Sequence, residues 1–95
     1  MRLFLAQTSD ADGTAFPVGS TGSRFNSDIF TFYVWGTFGS GTVKLQISPD
    51  DGTTWFDVPN TSVTAKTVMN VEIRATQVRA NLASSSGASI YAQLI

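Results

Sequence analysis

The chain contains neither cysteine nor histidine. The first absence removes disulfides, thiol nucleophiles and thiolate metal sites. The second removes the commonest general base and the commonest metal ligand. Charge is scarce as well: 14% of residues are Asp, Glu, Lys or Arg, against roughly 25% in an ordinary soluble domain. The basic residues, Arg2, Arg24, Lys44, Lys66, Arg74 and Arg79, are scattered, and the formal net charge is −1. Electrostatic nucleic-acid binding needs clustered Lys and Arg, so no nucleic-acid partner is expected. No apolar run approaches the roughly 20 residues of a membrane-spanning helix, and no membrane partner is expected. The opening Met1-Arg2-Leu3-Phe4-Leu5-Ala6-Gln7 has one basic residue and too short an apolar run for a signal peptide. The sequence therefore reads as a chain used in a cytoplasm without processing.

Helical periodicity is lacking too. Period-2 alternation recurs instead, bounded by Gly, Ser, Pro and Asp, and the fold class it implies is all-β. Strands are expected at about 28–36, 42–48, 54–58, 68–75, 77–83 and 88–95, with a short one at Leu3-Phe4-Leu5. Six to eight short strands in 95 residues imply one domain, a small antiparallel β-sandwich, jelly-roll-like or immunoglobulin-like. Residues 1–27 are the least regular and read as an N-terminal arm, with Phe16 and Phe25 pinning it to the regular strands of 28–95.

The most specific string is Ser48-Pro49-Asp50-Asp51-Gly52-Thr53-Thr54-Trp55, an S-x-D-x-G-x-T-W Asp-box. Ser48 and Asp50 are expected to accept hydrogen bonds from the turn's own N–H groups, Gly52 to take a positive φ, and Trp55 to clamp the return strand. With Thr54 they build a hairpin tip, and the motif leaves no spare nucleophile or base.

Register follows from pairing apolar positions. A loop at Thr37-Phe38-Gly39-Ser40 would place Val34 opposite Val43, Phe32 opposite Leu45 and Phe30 opposite Ile47. The Asp-box hairpin would pair Ile47 with Phe56 and Leu45 with Val58 as core. A loop at Ser84-Ser85-Ser86-Gly87 would pair Leu82 with Ile90, Ala80 with Ala92 and Val78 with Leu94. The connector 60–67, which carries Val63, is expected to cross between sheets.

This register leaves Ile29, Tyr33, Trp35 and Trp55 together on an outer face. Three readings are open. The N-terminal segment covers the rings, or they form a subunit or partner interface, or they are a flat platform for stacking sugars. No cofactor or metal is expected, because Asp50, Asp51 and Asp57 offer too few oxygens for calcium. Asp57 and Glu72 could form a glycosidase-like pair, but nothing in the sequence brings them together, and the chain is read as a non-enzyme.

Residues 36–94 resemble a known family. Gly41-x-Val43-x-Leu45-Gln46-x-Ser48-x-Asp50-x-Gly52-x-Thr54-Trp55-x-x-Val58, then Val71-x-Ile73 and Val78-Arg79-Ala80-x-Leu82, are similar to small virion structural proteins of tailed bacteriophages. The resemblance implies a compact β-sandwich acting as a head decoration or cement subunit, or as a head–tail or tail component. It further implies location in the virion, a major capsid protein as partner, and self-association, with a trimer expected. The residues assigned to contact are Tyr33, Trp35, Trp55 and Ile29 on the outer face. The arm Arg2, Leu3, Phe4 and Leu5 is expected to add a strand to a neighbour or dock in its groove. A carbohydrate-binding module, with a glycan partner, is the alternative.

Overall fold

The computed structural model of the protein describes residues 2–18 and 28–95. Its strands are β1 (Arg2–Gln7), β2 (Ala11–Asp12), β3 (Phe16–Pro17), β4 (Asp28–Thr37), β5 (Thr42–Ser48), β6 (Phe56–Asp57), β7 (Thr67–Ile73), β8 (Gln77–Ala83) and β9 (Ser89–Leu94). The strands expected at 42–48 and 77–83 are found at those bounds, and the others lie within a few residues of theirs. Phe25 and the loop 19–27 fall outside the described residues.

Two antiparallel sheets pack face to face, in the orders β1-β9-β4-β7 and β2-β8-β5-β6, with β3 also on β8. β2 and β3 lie on the same edge of β8. Between Asp12↔Asn81 and Phe16↔Val78, four steps on one strand match three on the other. That mismatch is a bulge around Thr14 and Ala15 in what is otherwise one strand. Counted so, each sheet has four strands in jelly-roll order, which separates this sandwich from the immunoglobulin alternative. Just after β2 the chain runs close to β1: a Cβ on Gly13 would sit 2.6 Å from the carbonyl oxygen of Leu3.

Two expected hairpins do not form. β4 lies between β9 and β7, and β5 between β8 and β6. Val34–Val43, Phe32–Leu45 and Phe30–Ile47 are therefore not ladder pairs. Neither are Leu82–Ile90, Ala80–Ala92 and Val78–Leu94, because β8 and β9 belong to different sheets. Ten of these twelve residues are nevertheless buried, with Phe30 and Ile47 partly so, and all join one core cluster. The apolar alternation is satisfied equally by partners across the sandwich and by partners along a sheet.

The loops explain the choice. Gly36 (φ 111°) near the end of β4, with Gly39 (54°) and Ser40 (63°) after it, bends the chain, and Ser84 (60°) and Gly87 (69°) do so after β8. The two bends are tied by the Ser86 N–H donating to Gly39 O at 2.8 Å. Phe38 and Ala88 are drawn inward and close that end of the core. Both loops are arches between sheets rather than hairpin tips.

The Asp-box hairpin does form. Ile47 pairs with Phe56, Gln46 with Asp57, and the Val58 N–H reaches Leu45 O at 2.9 Å. Phe56, expected in the core, is 57% exposed, because β6 is a two-residue edge strand. Beyond it the rim is stitched irregularly. The Thr61 hydroxyl, fully buried, accepts from the Leu45 N–H at 3.1 Å and donates to Val58 O at 2.8 Å. Val63 then bridges Val43, so the connector 60–67 does pass from the second sheet to the first.

Candidate functional site

The Asp-box is a closed structural unit. The Ser48 hydroxyl donates to Asp50 Oδ1 at 2.9 Å and accepts from the Gly52 N–H at 2.8 Å. Asp50 Oδ1 also accepts from the Thr54 N–H at 2.7 Å. Gly52 takes φ 94°, and Asp51 before it is also left-handed at 58°. The Trp55 indole N–H donates to Gly52 O at 3.0 Å, which is the expected clamp. Thr76 is a buttress the motif did not announce: its hydroxyl donates to Ser48 O at 3.0 Å and accepts from the Asp51 N–H at 2.9 Å. The Thr54 N–H, the strongest influence, and the Ser48 hydroxyl hold the Asp50 carboxyl below its ordinary pKa. The Ser48 hydroxyl and Asp50 Oδ1 are both spent on their own turn.

The outer face of the second sheet, which carries Trp55, is covered by its own polar network. The Arg79 guanidinium lies 4.1 Å from the centroid of the Trp55 ring. Arg79 also donates to Gln46 Oε1 at 2.8 Å and pairs with Asp12 at 3.3 Å. Asp57 accepts from Gln46 at 2.8 Å and from Lys44 at 3.0 Å, and these donors lower its pKa. Asn81 donates to Asp12 at 2.7 Å. Cross-strand pairs of this kind tie β2, β8, β5 and β6 together and leave few polar groups seeking outside partners.

The outer face of the first sheet is different in kind. Phe32 and Val34 point inward from β4, so Ile29, Tyr33 and Trp35 point outward. Trp55 is on the other sheet, so the single aromatic cluster expected from the sequence is split between two opposite faces. The cause is again β5 pairing with β8 and β6 and not with β4. Trp35 sits opposite Tyr91 in the β4–β9 ladder, and their rings stack with centroids 5.5 Å apart. Arg2 reaches over the Trp35 ring at 5.6 Å. Tyr33 sits opposite Val68 of β7, a residue the sequence did not single out. Ile29 is 75% exposed, Val68 60% and Tyr33 39%.

Between β4 and the start of β7 lies a shallow, mostly apolar recess of about 320 Å³. Tyr33, Trp35, Lys66, Thr67 and Val68 line it. Val68 was legible after all: the alternation in Thr67-Val68-Met69-Asn70-Val71-Glu72-Ile73 sets it on the face of Asn70 and Glu72, where an apolar residue is out of place.

The arm is corrected too. β1 pairs with β9 of its own chain, and Leu3 and Phe4 are 2% and 3% exposed in its own core. Register shifts between Arg2 and Phe4 and between Phe4 and Gln7 let two neighbouring residues both face inward. Of the four arm residues, Arg2 and Leu5 remain at the surface, Leu5 at 71% exposure. The N-terminal segment covers Trp35 in part through Arg2, and Phe16 packs against the core.

Asp57 and Glu72 lie on the outer faces of different sheets and form no pair of catalytic carboxylates. Among the described residues no cluster of three or more His, Cys, Asp or Glu could hold a metal ion. Comparison with family models, with curated proteins and with solved structures found no match.

Proposed function

We propose that the protein is a virion structural subunit of the tailed-phage kind, a head decoration or cement protein that docks on the major capsid protein. The observation that carries the reading is the contrast between the two outer faces. One is closed by its own hydrogen bonds and ion pairs, and the other exposes Tyr33 and Val68 beside a half-buried Trp35, with Ile29 further along β4 beyond the Thr31–Asn70 pair. An exposed apolar patch of Tyr33, Trp35 and Val68 on so small a domain marks a binding surface. Its aromatic and aliphatic centre, with Arg2 and Lys66 at the margin, is that of an interface. The strand patterns similar to phage virion proteins support the same assignment. So does the jelly-roll order, which recurs among viral capsid proteins, as an analogy of fold.

The mechanism is burial. Each subunit covers apolar area at a joint between capsid proteins, and many copies oppose expansion of the shell together. The face is tested by mixing the purified protein with expanded shells built from the major capsid protein of the same genome. Saturable binding is expected; a protein that ignores those shells at micromolar concentration contradicts the assignment.

The recess favours a second reading, a carbohydrate-binding surface, because about 320 Å³ beside Tyr33 and Trp35 falls in the range of small-ligand sites. Tryptophan fluorescence separates the two. Quenching by sugars at millimolar levels supports the glycan reading, and silence alongside shell binding supports assembly.

A further inference from the structure

The four sheet edges are unequal. In the second sheet, β2 and β3 are broken by a bulge and end in Pro17, and β6 has two residues followed by side-chain and single-residue bridges. In the first sheet, β1 carries two register shifts and a left-handed Ala6 (φ 51°). All three are edges of the blunted kind that resist pairing with another chain. β7 is not. It pairs with β4 over seven consecutive residues, Val34↔Thr67 through Asp28↔Ile73, without a shift. Among the described residues nothing pairs with its other side. It has no proline and no lysine within it, and Val68 on its surface is 60% exposed.

We propose that β7 pairs antiparallel with β7 of a second copy about a two-fold axis at Met69, joining the two first sheets into one eight-stranded sheet. Continuity of the two cores fixes the parity. Inward residues must face inward residues, so the axis passes through a residue and not between two. Charge then selects which residue. An axis at Asn70 sets Lys66 opposite the second copy's Arg74 twice over, like charge against like. An axis at Met69 sets Lys66 opposite the second copy's Glu72 twice over, Val68 opposite Asn70, Thr67 opposite Val71, and Met69 opposite itself.

A strand edge of this kind is self-complementary only under a two-fold axis, so it makes pairs and not the three-fold ring expected from the family resemblance. It also lays Tyr33 and Val68 of both copies along one extended outer surface. The inference stands apart from the capsid assignment: a protein that dimerises but ignores shells keeps the first and loses the second.

The test uses the full chain. Light scattering over a concentration series is expected to show a species of twice 10.2 kDa. Glu72→Lys and Lys66→Glu are each expected to raise the dimer dissociation constant roughly tenfold, two attractive cross-strand pairs having become repulsive. Combining the two restores it. Because the chain has no cysteine, Met69→Cys and Asn70→Cys each carry a single thiol. A short thiol-reactive cross-linker is expected to trap the Met69→Cys dimer preferentially. A monomer at all concentrations up to about 1 mM, failure of the double reversal to recover association while circular dichroism shows a native fold, or preferential trapping at Asn70→Cys would each overturn the proposal.

Discussion

Trp35 of β4 and Tyr91 of β9 face each other across the ladder with ring planes 9° apart and centroids 5.5 Å apart. The stack holds Trp35 upright at the border between the covered part of the first sheet's outer face and its exposed part toward β7. Tyr91 is thereby a positioning residue for the patch.

Removing either ring should show this coupling. Trp35→Ala and Tyr91→Ala, taken singly and together through urea denaturation, are expected to yield an interaction energy of about 0.5–1.5 kcal/mol. Tyr91→Phe, which keeps the stacking surface, is expected to stay near wild type.

Thr61 is a second sensitive point. Its hydroxyl substitutes for a missing strand by satisfying the Leu45 N–H at the rim of β5. Thr61→Val keeps the shape and orphans that buried donor, with an expected loss of about 1–3 kcal/mol. Thr61→Ser, which retains the hydroxyl, is expected to lose less, and chemical denaturation of the pair checks the difference.

Acid should destabilise the fold through its capping carboxylates. Asp50 is lowered by the Thr54 N–H and its other turn donors, Asp10 by the Ser85 hydroxyl and the backbone of Ser84 and Ser85, and Asp57 by Gln46 and Lys44. A carboxyl lowered in the folded state binds its proton more readily when unfolded. Its stabilisation is therefore complete above the ordinary value of 3.8 and is lost as the pH falls through the lower folded value. Stability measured from about pH 6 to pH 2 is expected to be flat and then to fall, with a shallower fall in Asp50→Asn.

The sequence disclosed most of the strands and ten of the eighteen buried core residues, because alternation reports which side of a strand is apolar. It could not report which apolar side meets which. Val34 and Val43 satisfy the pattern whether they are neighbours in one sheet or face each other between two. A clue was present in Phe38 and Ala88: a hairpin tip has no use for buried apolar residues, and an arch over the end of a core does. The Asp-box was legible down to its hydrogen bonds since its partners lie within a few residues. Thr76, its distant buttress, depends on tertiary packing and left no local trace.

The central claim is that the exposed face of the first sheet, and not the networked face of the second, is where the protein docks. Co-sedimentation with expanded shells of the same genome, using one variant from each face, tests it most directly. Tyr33→Ser with Val68→Ser replaces side chains that are already exposed, and Lys44→Ser with Asp57→Ser removes an exposed ion pair opposite. The account predicts at least a tenfold loss of shell affinity in the first variant, about 1.4 kcal/mol or more, and near-wild-type binding in the second. Equal binding by both, or loss confined to the second, would contradict it.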